Sequence, residues 1–192
     1  MQGPVGQAYS YPGYSGSYSY NLNLRQGNAI EVRGNSGGAY WIDLNVKHIV
    51  GFYYAVLANG QSGSVGVQNV NFNINTIDLC VAGCAVIGTA SALTFNINTC
   101  LAKYPFYVDC TSAAYCNTIF MKCTGAAFTN ELNGCGVYIA GTSMSASTFY
   151  LESLRAGYQP DSTTYPGQAV PSNTVCAYIG GNQYPEIGRA HV

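Results

Sequence analysis

The sequence predicts an all-β protein whose short strands recur as the coils of a single-domain parallel solenoid. Residues 29–158 are dense in Val, Ile, Thr, Phe and Tyr and are punctuated by Gly, Asn and Ser. This composition is typical of strands joined by turns. No long segment carries the period of a helix, and one alternating pattern returns at intervals of 23 to 30 residues. A repeat of that length indicates a solenoid.

Five stretches carry the alternation of apolar and polar residues that a strand with one buried face produces. The second and third stretches share the word Phe-Asn-Ile-Asn-Thr. Their apolar positions predict five inward-facing triplets. The triplets are Ile42/Leu44/Val46, Val70/Phe72/Ile74, Leu93/Phe95/Ile97, Ile119/Met121/Cys123 and Phe149/Leu151/Ser153.

A second set of short strands follows the first, one after each of the first four stretches. Each member is flanked by small or turn-forming residues, so every coil contains two strands separated by turns. The predicted members are residues 55–57, 85–87, 106–108 and 137–139.

An outward row of Asn45, Asn73 and Asn96 completes the pattern, with side-chain amides expected to bond from coil to coil. On this pattern residues 29–158 resemble the right-handed parallel β-helix superfamily, the architecture of pectate lyases and viral tailspikes. The resemblance implies a right-handed β-helix. None of the catalytic residues of the pectate-lyase-like enzymes finds a matching position. The strand spacing also fits an antiparallel β-sandwich or jelly roll, which is the alternative fold.

Two flanking regions differ from the repeats. Residues 1–28 form a Tyr/Gly/Ser-rich arm with few aliphatic residues, which cannot order itself alone. Residues 159–192 begin as a loop, and residues 175–179 predict a last strand that caps the stack. The arm is a candidate assembly device, and a flexible tail is the alternative. Its candidate anchors are Tyr9, Tyr11, Tyr14, Tyr18 and Tyr20.

The chain has 8 cysteines, an even number that indicates disulfides and an oxidising compartment. A zinc site is disfavoured because no C-x2-C spacing occurs and only 2 histidines are present. Buried thiols remain an alternative, and spacing alone does not identify the pairs. The disulfide candidates are Cys80, Cys84, Cys100, Cys110, Cys116, Cys135 and Cys176.

Charge restricts the function. Only 8% of the residues are charged, the net charge is −1, and no basic stripe is present, so the sequence predicts no nucleic-acid partner. No apolar run is long enough to predict membrane insertion.

No two carboxylates share an outward row, and no catalytic residue or cofactor is predicted. His48 is interpreted as a surface residue at a strand end.

These observations favour a non-enzymatic structural protein of a virion or an extracellular surface. We expect it to form homo-oligomers, or to bind other structural proteins, through a polar surface rich in Tyr and Asn. The 17 tyrosines fit that role, because tyrosine provides a rigid contact face and a hydroxyl. The alternative is a β-helix that binds or cleaves carbohydrate. Its candidate sugar-stacking residues are Tyr107, Phe120, Tyr138 and Tyr150.

Overall fold

The computed structural model describes residues 8–9, 18–19, 27–34, 37–61, 65–129, 135–141, 143–156 and 175–180, and these residues contain strands and no helix. The strands are β1 (Ala8–Tyr9), β2 (Tyr18–Ser19), β3 (Asn28–Arg33), β4 (Ala39–Val50), β5 (Tyr54–Gln61), β6 (Val67–Gly88), β7 (Ala90–Asp109), β8 (Cys116–Thr129), β9 (Cys135–Ala140), β10 (Met144–Ser145), β11 (Thr148–Ala156) and β12 (Val175–Ile179).

Apart from the short β1–β2 pair, every strand pairing in the described residues is parallel. We call the array of β4, the first half of β6, the first half of β7, β8 and β11 the first sheet. The second sheet contains β3, β5, the second halves of β6 and β7, β9 and β12. Each strand pairs with its equivalent one coil later, so the chain forms a parallel β-solenoid, and the antiparallel sandwich was the wrong alternative.

The register confirms most of the predicted inward rows. Ile42 pairs with Val70, Val70 with Leu93, and Leu93 with Ile119. The fifth triplet was aligned two residues too late, because Phe149 pairs with Met121. Ser147 lies beside Ile119, where its Oγ accepts a hydrogen bond of 3.0 Å from the Ile119 backbone N–H. Because Ser147 is polar, the alternation of apolar and polar residues did not indicate that it faces inward.

The core runs along the solenoid interior and is built from these rows. Phe72 and Phe95 are fully buried, and their rings stack with centroids 4.6 Å apart and planes 11° apart. Leu44, one coil earlier, is only half-buried because β4 is an edge strand of the first sheet. Burying one such large apolar side chain stabilises a fold by roughly 1.5–3 kcal/mol. The middle coils therefore contribute most of the hydrophobic stabilisation.

One corner of the solenoid repeats in the left-handed backbone region. Five residues at or near the start of the strands of the first sheet, none of them glycine, have φ between 47° and 58°. The register stacks them in one column, because the residues on either side of each are paired. A single left-handed residue turns the chain between two strand segments. The column consists of Trp41, Asn69, Ala92, Thr118 and Ala146.

We expect Ala92→Gly to stabilise the protein. Ala92 is half-exposed with φ 52°, a conformation that costs an L-residue roughly 1–2 kcal/mol and costs glycine almost nothing. After the backbone entropy of glycine is subtracted, the free energy of unfolding should rise by about 0.5–1 kcal/mol in urea titrations. The control is Ala90→Gly, two residues earlier and fully buried in β7, which should destabilise. A less stable Ala92→Gly variant would contradict strain at this corner.

Candidate interaction surfaces

The outward-facing residues of the second sheet form an apolar surface outside the solenoid interior. One row crosses four strands, with Leu57 beside Ala85, Ala85 beside Tyr107, and Tyr107 beside Tyr138. Their neighbours on the same face are apolar or aromatic as well. We call this surface the tyrosine face; it consists of Tyr54, Leu57, Ala82, Ala85, Ile87, Tyr104, Tyr107 and Tyr138.

The aromatic rings of the tyrosine face contact one another across the strands. Tyr107 and Tyr138 stack with centroids 5.0 Å apart and planes 3° apart. Tyr104 lies 5.7 Å from Tyr107 and 5.5 Å from Tyr138, and Tyr54 lies 6.2 Å from Tyr107. Leu57 is nearly inaccessible although it points away from the interior. The rings therefore form a packed layer that is itself only half-buried.

The phenols of Tyr54 and Tyr107 have raised pKa values and stay neutral under ordinary conditions. Desolvation, with smaller contributions from Tyr53 and Asp109, raises the pKa of Tyr54 to about 12. Desolvation and nearby groups, Asp109 among them, raise the pKa of Tyr107 as well. The Lys103 ammonium lies 5.3 Å from the centroid of the Tyr104 ring, in cation–π contact. The centre of the face consequently presents uncharged aromatic surface with hydroxyl groups.

Glu31 of β3 lies at the end of the row that runs through Leu57, with which it pairs. Burial raises the pKa of the Glu31 carboxyl, but hydrogen bonds from Asn59, Arg33 and Asn28 outweigh it, so the pKa is lowered. The donors lie 2.8 Å away, and Arg33 also forms an ion pair of 2.7 Å. The carboxylate is thus charged and neutralised by its own neighbours.

The outer face of the first sheet is polar, and it contains the predicted asparagine ladder. The Asn73 amide donates to the Asn45 Oδ1 at 3.2 Å, and the Asn96 amide donates to the Asn73 Oδ1 at 3.0 Å. Asn71 donates to the Asp43 carboxylate at 2.7 Å in the neighbouring row. Asp43 and Asn71 are direct register partners in β4 and β6. The Asn73 amide both donates and accepts, so the ladder links three successive coils.

Exposed aromatic residues interrupt this polar face. Phe120 and Tyr150, two predicted sugar-stacking residues, are on this side, with Lys122 5.7 Å from the centroid of the Tyr150 ring. Trp41, at the left-handed corner, is 81% exposed. Tyr107 and Tyr138, the other two, belong to the second sheet. The structure therefore divides the predicted aromatic residues between two different faces.

The cysteines whose side chains the structure describes are all buried. Cys84, Cys100, Cys110, Cys116 and Cys123 are buried and carry free thiols. Desolvation, together with nearby cysteines, raises the pKa of Cys84 and Cys100 well above the usual range. These two thiols remain protonated and are poor nucleophiles. Among the described residues, no group of His, Cys, Asp or Glu is arranged to hold a metal ion.

The remaining disulfide candidates divide into two kinds. The Cys80 thiol donates to the Asp78 carbonyl at 3.4 Å, and the Cys135 thiol donates to the Val137 carbonyl at 2.8 Å. Cys176 lies in β12, and its side chain is outside the described part. The expectation that cysteines pair as disulfides in an oxidising compartment stays a prediction.

The candidate anchors of the arm are described only in part. Tyr9 of β1 pairs with Tyr18 of β2 in the antiparallel pair. Tyr11, Tyr14 and Tyr20 lie outside the described residues. The role of the arm in assembly stays a prediction.

Sequence reasoning missed the tyrosine face as a unit. It had identified Tyr107 and Tyr138 singly, and it had not included Tyr54 or Tyr104. The signal was present, because aligning the second strand set places residue 57 with residues 85, 107 and 138. Only rows of the first strand set had been aligned. The outward rows of the second set carry the aromatic surface.

The class that emerges is a parallel β-solenoid with one amide-rich face and one aromatic face. No family model, curated protein or solved structure matches this chain. Within the described ranges, no helix has the length and apolar character needed to cross a membrane.

Proposed function

We propose that this chain is a non-enzymatic structural protein that self-associates through the tyrosine face, as a component of a virion or an extracellular surface structure. The observation that carries the proposal is the half-buried aromatic layer on the outside of the second sheet. An outward face of a solenoid has no need of packed aromatic rings for its own core. A partner surface is the physical reason for them.

Tyrosine suits such an interface. Its ring provides a large contact area at low entropic cost, and its hydroxyl can bond to the partner or to water. In this protein Tyr104, Tyr107 and Tyr138 already hold one another in place, with centroids 5.0 to 5.7 Å apart. Less side-chain freedom therefore remains to be lost when a partner docks.

A second copy of this chain is the partner that the electrostatics favour. In a two-fold interface the same patch meets itself, so a charged patch would repel its copy. The centre of the tyrosine face is uncharged, Glu31 is neutralised by Arg33, and Lys103 lies beside the Tyr104 ring. The whole chain carries a net charge of only −1. Two copies can consequently approach through this face with little repulsion.

The location on a virion or an extracellular surface is supported by composition and by architecture. Asn, Ser, Thr, Gly and Tyr replace charged residues over much of the chain. The parallel solenoid agrees with the resemblance to the right-handed parallel β-helix superfamily, which includes viral tailspikes. We include in the proposal that the chain is a member of that superfamily.

Sedimentation velocity of the full chain over a range of concentrations tests the proposal, with electron microscopy of the same samples. We expect the mean sedimentation coefficient to rise with concentration and the images to show regular oligomers or filaments. A chain that stays monomeric at every concentration would contradict the proposal. Repeating the experiment without residues 1–26 tests whether the arm contributes to assembly.

Carbohydrate binding is the second candidate, favoured by one observation on the other face. Trp41 is 81% exposed, and the hydrogen-bonded pair of Asp43 and Asn71 lies next to it. An exposed indole can stack on a sugar ring while the polar side chains bond to hydroxyl groups. Trp41 is the only tryptophan, so its fluorescence should shift when a polysaccharide binds. An unchanged emission spectrum across a panel of neutral and acidic polysaccharides would remove this candidate.

A further inference from the structure

Cys110 and Cys116 flank the turn that leads from β7 to β8. Cys110 follows the last residue of β7, and Cys116 is the first residue of β8. Both side chains are 0% exposed and belong to the core of the solenoid. Thr111 and Ser112 in the turn between them are exposed. Two buried thiols therefore lie directly beneath an exposed five-residue turn.

The strand register brings the Cα atoms of these two cysteines to within about 7 Å of each other, close to the span of a disulfide. Cys116 pairs with Ala90, and Ile87 pairs with Asp109, so continuing the same register by one residue brings Cys110 beside Gly88. Gly88 and Ala90 are two positions apart in the chain, so their Cα atoms are separated by no more than roughly 7 Å. Stacking in register gives Cys110 and Cys116 a similar separation. A disulfide spans Cα atoms roughly 4.4–6.8 Å apart.

The side chains point toward each other. The Cys116 thiol donates a hydrogen bond to the Cys110 sulfur, which also accepts one from the Ser143 backbone N–H. The Cys110 thiol in turn donates to the Ala140 carbonyl at 3.1 Å. The Ser143 carbonyl accepts a hydrogen bond of 3.0 Å from the Cys116 backbone N–H. Ser143 thus fixes both cysteines from the next coil. The hydrogen bond between the thiols lowers the pKa of Cys110 and raises that of Cys116.

We propose that Cys110 and Cys116 form a site of reversible oxidation at which a small peroxide installs a disulfide bond. Both sulfurs are buried, so the oxidant must be small, and a peroxide meets that requirement. The Cys110 thiolate attacks one oxygen of hydrogen peroxide, the O–O bond breaks, and the Cys110 sulfenic acid and hydroxide form. The hydroxide takes up the proton that Cys110 released and leaves as water.

Cys116 completes the reaction. The Cys116 sulfur attacks the Cys110 sulfur as its proton passes to the departing oxygen, so the S–O bond breaks and a second water leaves without a free Cys116 thiolate. The two thiols lose two electrons and two protons, and one peroxide becomes two waters. A thiolate attacks and a neighbouring thiol resolves, which is the arrangement of redox-sensitive cysteines. This inference does not depend on the proposed assembly function.

The interior thiols of Cys84 and Cys100 lack this arrangement. Burial and neighbouring cysteines raise the pKa of both, so neither supplies a thiolate for the first step. Desolvation raises the pKa of Cys123 to about 11. We therefore expect oxidation to be selective for the pair beneath the turn.

Tryptic mapping of the native full chain tests the proposal after hydrogen peroxide treatment and alkylation in denaturant. Residues 104–122 form one tryptic peptide, which contains Cys110 and Cys116 and no other cysteine. We expect this peptide to resist alkylation and to be roughly 2 Da lighter than its reduced form, because a disulfide lacks two hydrogens. A phosphine reductant should restore both thiols. Cleavage after Tyr115 should leave the two halves linked until reduction.

The internal control is the tryptic peptide of residues 48–103, which carries Cys80, Cys84 and Cys100 and should keep its thiols at the same peroxide dose. In Cys116→Ser, Cys110 should accumulate as a sulfenic acid that dimedone labels. The proposal is overturned if peptide 104–122 keeps both thiols, if it is linked to another peptide, or if dimedone fails to label Cys110 in the variant.

Discussion

Phe95→Ala is expected to lower the free energy of unfolding by about 3–5 kcal/mol. Phe95 is fully buried in the middle coil of the first sheet. Its register neighbours are Phe72 in one coil and Met121 in the next, and its ring stacks on Phe72 at 4.6 Å. Removing the ring leaves a cavity that cannot collapse easily, because stacked coils on both sides fix the backbone.

A loss of this size is a large part of the 5–15 kcal/mol that stabilises a typical domain. Urea denaturation followed by circular dichroism measures it. The matched control is Phe120→Ala, which removes the same ring from the outer face of the first sheet, where Phe120 is 37% exposed. That change should cost about 1 kcal/mol or less. Equal losses for the two variants would contradict the assignment of Phe95 to the interior.

The sequence predicted those parts of the fold in which one residue type recurs at one position of every coil. Val70, Leu93 and Ile119 follow one another in an inward row because each strand must bury the same face. Asn73 and Asn96 form their ladder because identical amides stacked one coil apart satisfy each other. Such patterns are visible without coordinates, since the alternation of a strand fixes which residues point outward.

Other features of the fold, such as the left-handed corner and the direction of strand pairing, are not marked by a shared residue type. The left-handed corner uses Trp41, Asn69, Ala92 and Thr118 in turn, so no shared residue type marks it. Parallel and antiparallel strands share the same alternation, so only the pairing itself excluded the sandwich. The predicted register of the fifth coil was wrong by two residues because Ser147 occupies an inward position that the earlier coils fill with apolar residues.

The tyrosine face escaped prediction for a related reason. Its row begins with Leu57 and Ala85 and becomes aromatic only at Tyr107 and Tyr138. The small residues in this row leave space for the large rings to pack, but the sequence pattern of the row does not indicate an aromatic surface. The face exists only when non-adjacent strands are placed side by side.

Tyr107→Ser is expected to weaken self-association roughly tenfold or more, since tyrosines at the centre of an interface commonly contribute 2 kcal/mol or more. Tyr107 is the ring that contacts most of the others: Tyr138 at 5.0 Å, Tyr104 at 5.7 Å and Tyr54 at 6.2 Å. Its removal both deletes contact area and frees the neighbouring rings. Sedimentation equilibrium gives the dissociation constant of each variant, and circular dichroism checks that the fold is kept.

Tyr150→Ser is the matched control for this prediction. It removes the same side chain from an exposed position, 39% accessible, on the outer face of the first sheet. If the tyrosine face joins two copies, only Tyr107→Ser weakens the association, because the Tyr150 ring stays in water in both states. If both variants associate as the unaltered chain does, the contact lies elsewhere. If only Tyr150→Ser dissociates, the polar face with Phe120 and Lys122 is the interface, and the aromatic layer serves the fold alone.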